Sequence, residues 1–264
     1  TTKLPELVEE GVVAPLNEFS ESAEVEWASF NDTILDSVTI DEKYYAIPLD
    51  VHPLVMYYNK DILGALDLLN ENGEFEAPEN AVEFRAVLDQ IQEAGYYPLS
   101  VEYAGGGGYR GWLALLKQAG GDLFQENTVL VNSPEALETL TWWASIPLDN
   151  PNLVVDYDEC MALFAQGDAA LHFNGVWATG YYEQIEDLNF GVAPFPTLYN
   201  NESSWANSHR FVVPVQRGTI DEEKFDAIFD GLVKVRTAIA KGMGFKNYVE
   251  YADVMMNRWE YDRG

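Results

Sequence analysis

The sequence predicts an α/β fold, and three observations carry the prediction. Apolar runs of strand length alternate along the chain with segments of helical period. Strands separated by helices imply sheets that are largely parallel. Two of the apolar runs stand almost in tandem, with only Val51, His52 and Pro53 between them, which suggests a chain passing from one unit to another. A length of 264 residues is enough for two lobes, or for one large domain, with a well-filled core.

Taken in order, Leu4, Leu7 and Val8 share one face of a first helix that Gly11 stops. A polar, acidic stretch then leads to YYAIPLD (Tyr44 to Asp50), read as a strand entering a crossing bounded by proline. LVMYY (Leu54 to Tyr58) is the next strand, and NKDIL after it opens a helix. From Glu79 to Gly95 the period is 3.6: Phe84, Val87 or Leu88, and Ile91 form the apolar face, Asn80 caps, Glu83 completes a capping box and Gly95 ends the helix. A strand from Tyr96 to Tyr103 reaches a run of four glycines, read as a flexible loop at a cleft edge. Helices follow at Trp112 to Gly121, at Ser133 to Trp143, with Ser at the cap and Pro at the first helical position, and at Tyr157 to Gln166, closed by Gly167. Ala169 to Phe173, Asn189 to Ala193 and Phe211 to Val215 complete the strands. After the first of these, Asn174-Gly175 reads as a turn with φ > 0 that leaves Trp177 half exposed at an edge.

Charge and cysteine usage remove several function classes. With 44 acidic and 15 basic side chains the net charge is −29, which excludes nucleic acid and an anionic membrane surface as partners; a solvated acidic skin accounts for it. The single Cys160 cannot pair internally and reads as a small core residue. No His or Cys cluster has zinc or iron spacing, and no run approaches the about 18 apolar residues of a membrane span. Neither a cofactor nor a metal is expected. The chain opens on TTKLPELVEEG without a methionine, as a segment from inside a longer protein would.

GGGYRG (Gly106 to Gly111) matches the dinucleotide fingerprint G-x-G-x-x-G. Pro98, Ser100 and Glu102 in the strand before it, and the lack of an acidic residue ending the next strand, argue against that reading. Carboxylate pairs such as Asp156 with Asp158, or Glu102 with Asp122, could serve a glycoside hydrolase, but 44 acids produce such pairs by chance. No nucleophile elbow is present. His172 reads as structural, whereas His52 and His209 each stand beside a strand start at a crossing. Aromatics make up 13% of the chain, and Tyr103, Tyr109, Trp177, Tyr181, Tyr182 and Trp205 lie in loops or at element ends. They recur beside Asp50, His52, Arg110, Asn174, His209 and Arg210. Sugar rings present an apolar face and a rim of hydroxyls, so flat rings among planar polar groups suit a sugar site.

The order of several segments is also recognisable. The stretch from Tyr45 to Leu63, with its YYNKD, is followed by QAGGDLF (Gln118 to Phe124), SPEAL (Ser133 to Leu137), FAQGDAALHFNGVW (Phe164 to Trp177) and FGVAPFP (Phe190 to Pro196). This series resembles the family 1 extracellular solute-binding proteins of ABC importers, the maltose-binding-protein-like family, from about Pro5 to Pro214. The resemblance implies a two-lobed, class II periplasmic-binding-protein-like α/β fold with hinge strands and a central ligand cleft. Residues 1–52 with 210–264 would form the first lobe, lacking an N-terminal portion, and residues 53–209 the second. It implies a non-enzymatic monomer that binds a sugar or oligosaccharide and delivers it to permease subunits, located in the periplasm or held at the cell surface as a lipoprotein. Trp177 would stack on a sugar ring. Asp50, His52, Tyr109, Trp112, Trp205 and His209 would line the site, with Asn174, Arg110 and Glu102 as further polar candidates. The sequence from Arg236 onward departs from the family pattern. A carbohydrate-active hydrolase, or a protein of this fold for another solute such as a polyamine or metal ion, remain as alternatives.

Overall fold

The structure, a computed structural model, describes residues 3–17, 25 and 27–215, together with 234, 237, 238, 241, 242, 244 and 246. The divergent segment from Arg236 therefore lies largely outside the described residues. The chain divides into two compact units, Thr1–Pro48 with Arg210–Gly264, and Leu49–His209.

In the first unit, the helix Leu4–Glu9 carries Pro5 in its first turn and is stopped by Gly11 at φ +64. Its Leu4 packs with Val13, Val38 and Ala46. The strand expected over Tyr44 to Asp50 is broken into two. Lys43–Tyr44 turns back on Thr39–Ile40 through Asp41 and Glu42, both at positive φ, and Ile47–Pro48 pairs antiparallel with Arg210–Phe211. The strand expected at Phe211 to Val215 shrinks to Arg210–Phe211 and an isolated bridge from Pro214 to Val13, since proline has no N–H to extend a ladder.

The second unit is built on a five-stranded sheet. Its strands are β1 (His52–Asn59), β2 (Tyr97–Ser100), β3 (Ala169–Gly175), β4 (Phe190–Pro194) and β5 (Ala206–Asn207). Strand β1 pairs antiparallel with β3 along one edge, and with β4 and then the short β5 along the other; β2 joins β3 in parallel. The sheet is thus mixed and mostly antiparallel, against the parallel expectation. Sequence order conceals this, because helices intervene between strands whichever way the chain re-enters the sheet.

Alternation along β1 fills both faces. Leu54, Met56 and Tyr58 enter the larger core with Leu99, Leu171 and Phe173, while Val55 and Tyr57 face the smaller one with Phe164, Ala169 and Tyr182. Helix α1 (Lys60–Ala65) starts where Asn59 Oδ1 accepts from Asp61 N and Ile62 N. Helix α2 (Ala81–Glu93) buries Phe84, Leu88 and Ile91, and Asn80 Oδ1 accepts from Glu83 N at 2.9 Å. A full reciprocal capping box stands at Asp156 and Glu159.

The glycine run is a correction. Gly106–Gln118 is one helix, α3, so the glycines form its first turn and not a loop. Glu102 holds that turn, its carboxylate accepting from Gly107 N at 2.7 Å and its carbonyl from Gly108 N at 2.8 Å. A Cβ on Gly107 would lie 2.8 Å from the Glu102 Cβ, and one on Gly111 would lie 2.7 Å from the Trp143 ring. The glycines are there for close approach. Trp143 belongs to α4 (Pro134–Asp149), capped by Ser133, and is 4% exposed. Helix α5 (Tyr157–Ala165) brings Cys160 into the core, where burial pushes its thiol up to about 12. Among the described residues no helix is long and apolar enough to cross a membrane.

Candidate functional site

The Asn-Gly pair is the second correction. Asn174 and Gly175 continue strand β3, opposite Val55 and Leu54, and Gly175 sits at φ −80, ψ 161, ordinary extended backbone. No turn forms there. The chain then makes a short 3-10 turn, Val176–Ala178, that folds the Trp177 ring back over Gly175. A Cβ on Gly175 would stand 2.0 Å from Trp177 Cζ3, so the glycine is needed to let the ring lie against the strand end. Trp177 is 42% exposed, as the sequence leads one to expect, and its Nε1 donates to Tyr157 Oη at 3.1 Å.

Beside it lies a cavity of about 550 Å³ whose walls include Trp177, Trp205, His52, Asp50, His209 and Arg110. All belong to the Leu49–His209 unit. His52 begins β1 and meets the Trp177 ring edge-on, with centroids 5.6 Å apart and planes at 80°. Trp205 precedes β5, and the Arg110 guanidinium of α3 lies 5.0 Å from its ring centroid. Asp50 joins the two ends of the wall: its Oδ1 accepts from His209 N at 2.7 Å, and its Oδ2 lies 2.7 Å from His209 Nδ1. Desolvation of Asp50 opposes ionisation, but these bonds from the His209 side chain and backbone outweigh it and hold the carboxyl below its ordinary value.

Six of the residues singled out from the sequence therefore meet around one cavity. Four do not line it. Tyr109 is 52% exposed and tilts toward Trp112, whose Nε1 donates to Thr139 Oγ1 as its ring packs on the core. Asn174 is buried, donating from Nδ2 to Met161 Sδ and accepting from Gly175 N. Glu102 is committed to the start of α3. Among the other aromatics of the sequence reading, Tyr182 is a core residue, packed edge-on against Tyr57 and Phe164. The suspected acid pairs have local duties: Asp156 caps α5 and Asp122 pairs with Lys117. His172 is fully buried, its Nδ1 donating to Ser100 O at 2.9 Å, and burial lowers it to about 4. Val51, Val176 and Asn207 also line the cavity and were missed; each adjoins or nearly adjoins a residue already singled out.

Comparison with known proteins agrees with this architecture. The profile of the family described as bacterial extracellular solute-binding protein matches residues 1–225. The maltodextrin-binding protein MdxE of Bacillus subtilis (strain 168) is 30% identical over 186 residues, covering 66% of this chain and 42% of that protein. The maltotriose-binding protein of Pyrococcus abyssi (strain GE5 / Orsay) is 23% identical over 194 residues, covering 72% and 39%. The chain thus spans less than half the length of these relatives. Among solved structures, the GacH receptor of Streptomyces glaucescens GLA.O, determined unliganded and with acarbose, aligns at TM-score 0.67 and 20% identity over 95% of this chain and 64% of its own. A cyclo/maltodextrin-binding protein with maltotetraose aligns at 0.63 and 21%, over 80% and 53%. The likenesses establish the fold, the two-lobed α/β architecture that the order of segments implied.

Proposed function

The chain belongs to the bacterial extracellular solute-binding proteins, and from that membership we propose that it captures a saccharide outside the cytoplasm and presents it, chemically unchanged, to the permease of an ABC importer. The observation that carries this reading is the Trp177 ring, laid against a glycine at the strand end and left 42% exposed on the cavity wall. A rigid, half-exposed indole costs little to order and offers a flat apolar face to the C–H side of a pyranose. Trp205 adds a second ring, while Asp50, His52, Asn207, His209 and Arg110 surround them with hydrogen-bonding groups for hydroxyls. Because relatives are named for maltodextrin and maltotriose, a maltooligosaccharide is the ligand class proposed.

The test is a thermal-shift series with maltotriose, maltotetraose, acarbose, tagatose and, as a non-sugar, spermidine. A ligand present at a hundredfold excess over its Kd stabilises the fold by about 2.7 kcal/mol, enough to raise the Tm by several degrees. Long incubation followed by chromatography should return the oligosaccharide intact. No shift with any saccharide, or steady formation of shorter products, would overturn the proposal.

A further inference from the structure

We propose that Asp50, His52 and His209 form a binding site for a divalent transition-metal ion of the zinc class. The three side chains come from two segments far apart in sequence, and each offers a ligand atom lying within 4.8 Å of the other two. The Asp50 carboxylate is the hub: one oxygen is 2.7 Å from His209 Nδ1 and the other 3.3 Å from His52 Nδ1. The imidazoles lie face to face at a tilt, with centroids 4.7 Å apart and planes at 37°.

Two nitrogens converge on one carboxylate, and protons satisfy one of them in this geometry, His209 Nδ1, which bonds Asp50 Oδ2 at 2.7 Å. His52 Nδ1 is shielded from solvent and makes no hydrogen bond, although it lies beside an anionic oxygen. As a bare lone pair it would face negative charge; a dication among the three groups gives both nitrogens and the carboxylate the same partner. Zinc takes imidazole nitrogen and carboxylate oxygen at about 2.0–2.2 Å, which puts neighbouring ligand atoms of a tetrahedron about 3.4 Å apart. The nitrogens stand 2.7 and 3.3 Å from the carboxylate oxygens and the three ligand atoms within 4.8 Å of one another, and His209, largely exposed, can rotate to bring them to that spacing. Two imidazoles and a carboxylate suit zinc, copper or nickel, and not the oxygen-only coordination of calcium or magnesium. Three protein ligands leave a coordination position free, and Trp177, Trp205 and Arg110 line the same cavity.

Zinc alone, with no sugar, separates this proposal from the saccharide reading. Protein stripped with a chelator is titrated calorimetrically with zinc chloride in excess calcium, which occupies the ordinary acidic surface sites. One equivalent should bind, and His52→Ala and His209→Ala should each weaken it at least tenfold. Imidazole NMR supplies an independent readout because the chain has three histidines. Zinc should shift the signals of His52 and His209 and leave those of the buried His172 in place. Zinc displaced by calcium, affinity unchanged in both variants, or no movement of the two imidazole signals would each overturn the site.

Discussion

Replacing Gly175 with alanine adds a methyl group where the Trp177 ring crosses the end of β3. The new Cβ would fall 2.0, 2.1 and 2.2 Å from Cζ3, Cη2 and Cε3 of the indole, so ring or strand has to move. The strand is held by its register with Leu54 and by the Tyr57 hydroxyl, which donates to Gly175 O at 2.9 Å. The half-exposed ring is held by one bond to Tyr157, so the ring yields. Folding should be nearly indifferent. Losing the Trp177–Tyr157 bond costs about 1 kcal/mol, while alanine in place of glycine at φ −80 regains roughly 0.4–1 kcal/mol from the unfolded chain. Binding should suffer on the scale of a lost aromatic anchor, about 2 kcal/mol or thirtyfold in Kd. Isothermal titration with maltotriose would compare the parent, Gly175→Ala, Trp177→Ala and the double variant. Each single variant should lose about thirtyfold, and the double variant no more than Trp177→Ala alone, because the methyl then has no ring left to displace. Parental affinity in Gly175→Ala, or a double variant whose loss is the product of the two, would refute the reasoning.

Gly111→Ala should behave in the opposite sense for stability: its Cβ would meet the buried Trp143 ring at 2.7 Å, and overpacking of about 1–3 kcal/mol exceeds the roughly 1 kcal/mol that alanine gains within a helix. A lowered urea midpoint is expected, and a raised one would show that the α3–α4 seam has slack. His172, lowered to about 4 from 6.5, binds fewer protons folded than unfolded between those values. Its contribution is therefore complete above the unfolded value and is lost as pH falls toward the folded one. At about pH 5 the loss relative to neutral pH should be about 2 kcal/mol. His172→Asn keeps a donor for Ser100 O but does not titrate, so unfolding measured at both pH values should show a shallower dependence for the variant; parallel curves would contradict the assignment.

Much of the fold could be read where the cause is local. Phe84, Leu88 and Ile91 recur at helical period, Ser133 and Asn80 cap, and Gly11 and Gly167 take positive φ, so α2, α4, α5 and the first helix are visible in the sequence. What escaped depends on contacts between distant residues. The direction of β1 is decided by three partners elsewhere in the chain. Gly107 and Gly175 look like loop and turn glycines because nothing in their neighbourhoods reveals that Glu102 and a ring two residues on will press against them. Trp177 is half exposed as expected, but the cause is the 3-10 turn after an extended Gly175 and not an Asn-Gly turn. Asp50 and His209 each stood out beside a strand, yet their mutual hydrogen bonds span 159 positions and carry no sequence period.

Strand β1 begins at the rim of the cavity and within a few residues is paired on both edges and buried on both faces. His52, the first residue of the strand, is paired with Asn207 of β5, whereas Asp50 and Val51 precede the ladder. If the cavity takes a solute as proposed, His52 meets it from backbone that is already ordered, which spares part of the roughly 0.5–1.5 kcal/mol that immobilising each loose side chain would cost. The same arrangement separates two inheritances. On the proposed reading, substitutions at positions 50, 51 and 209, which lie outside the β1 pairing, would change which solute is chosen while the ladder stays in place, so one durable scaffold would pass through many diets.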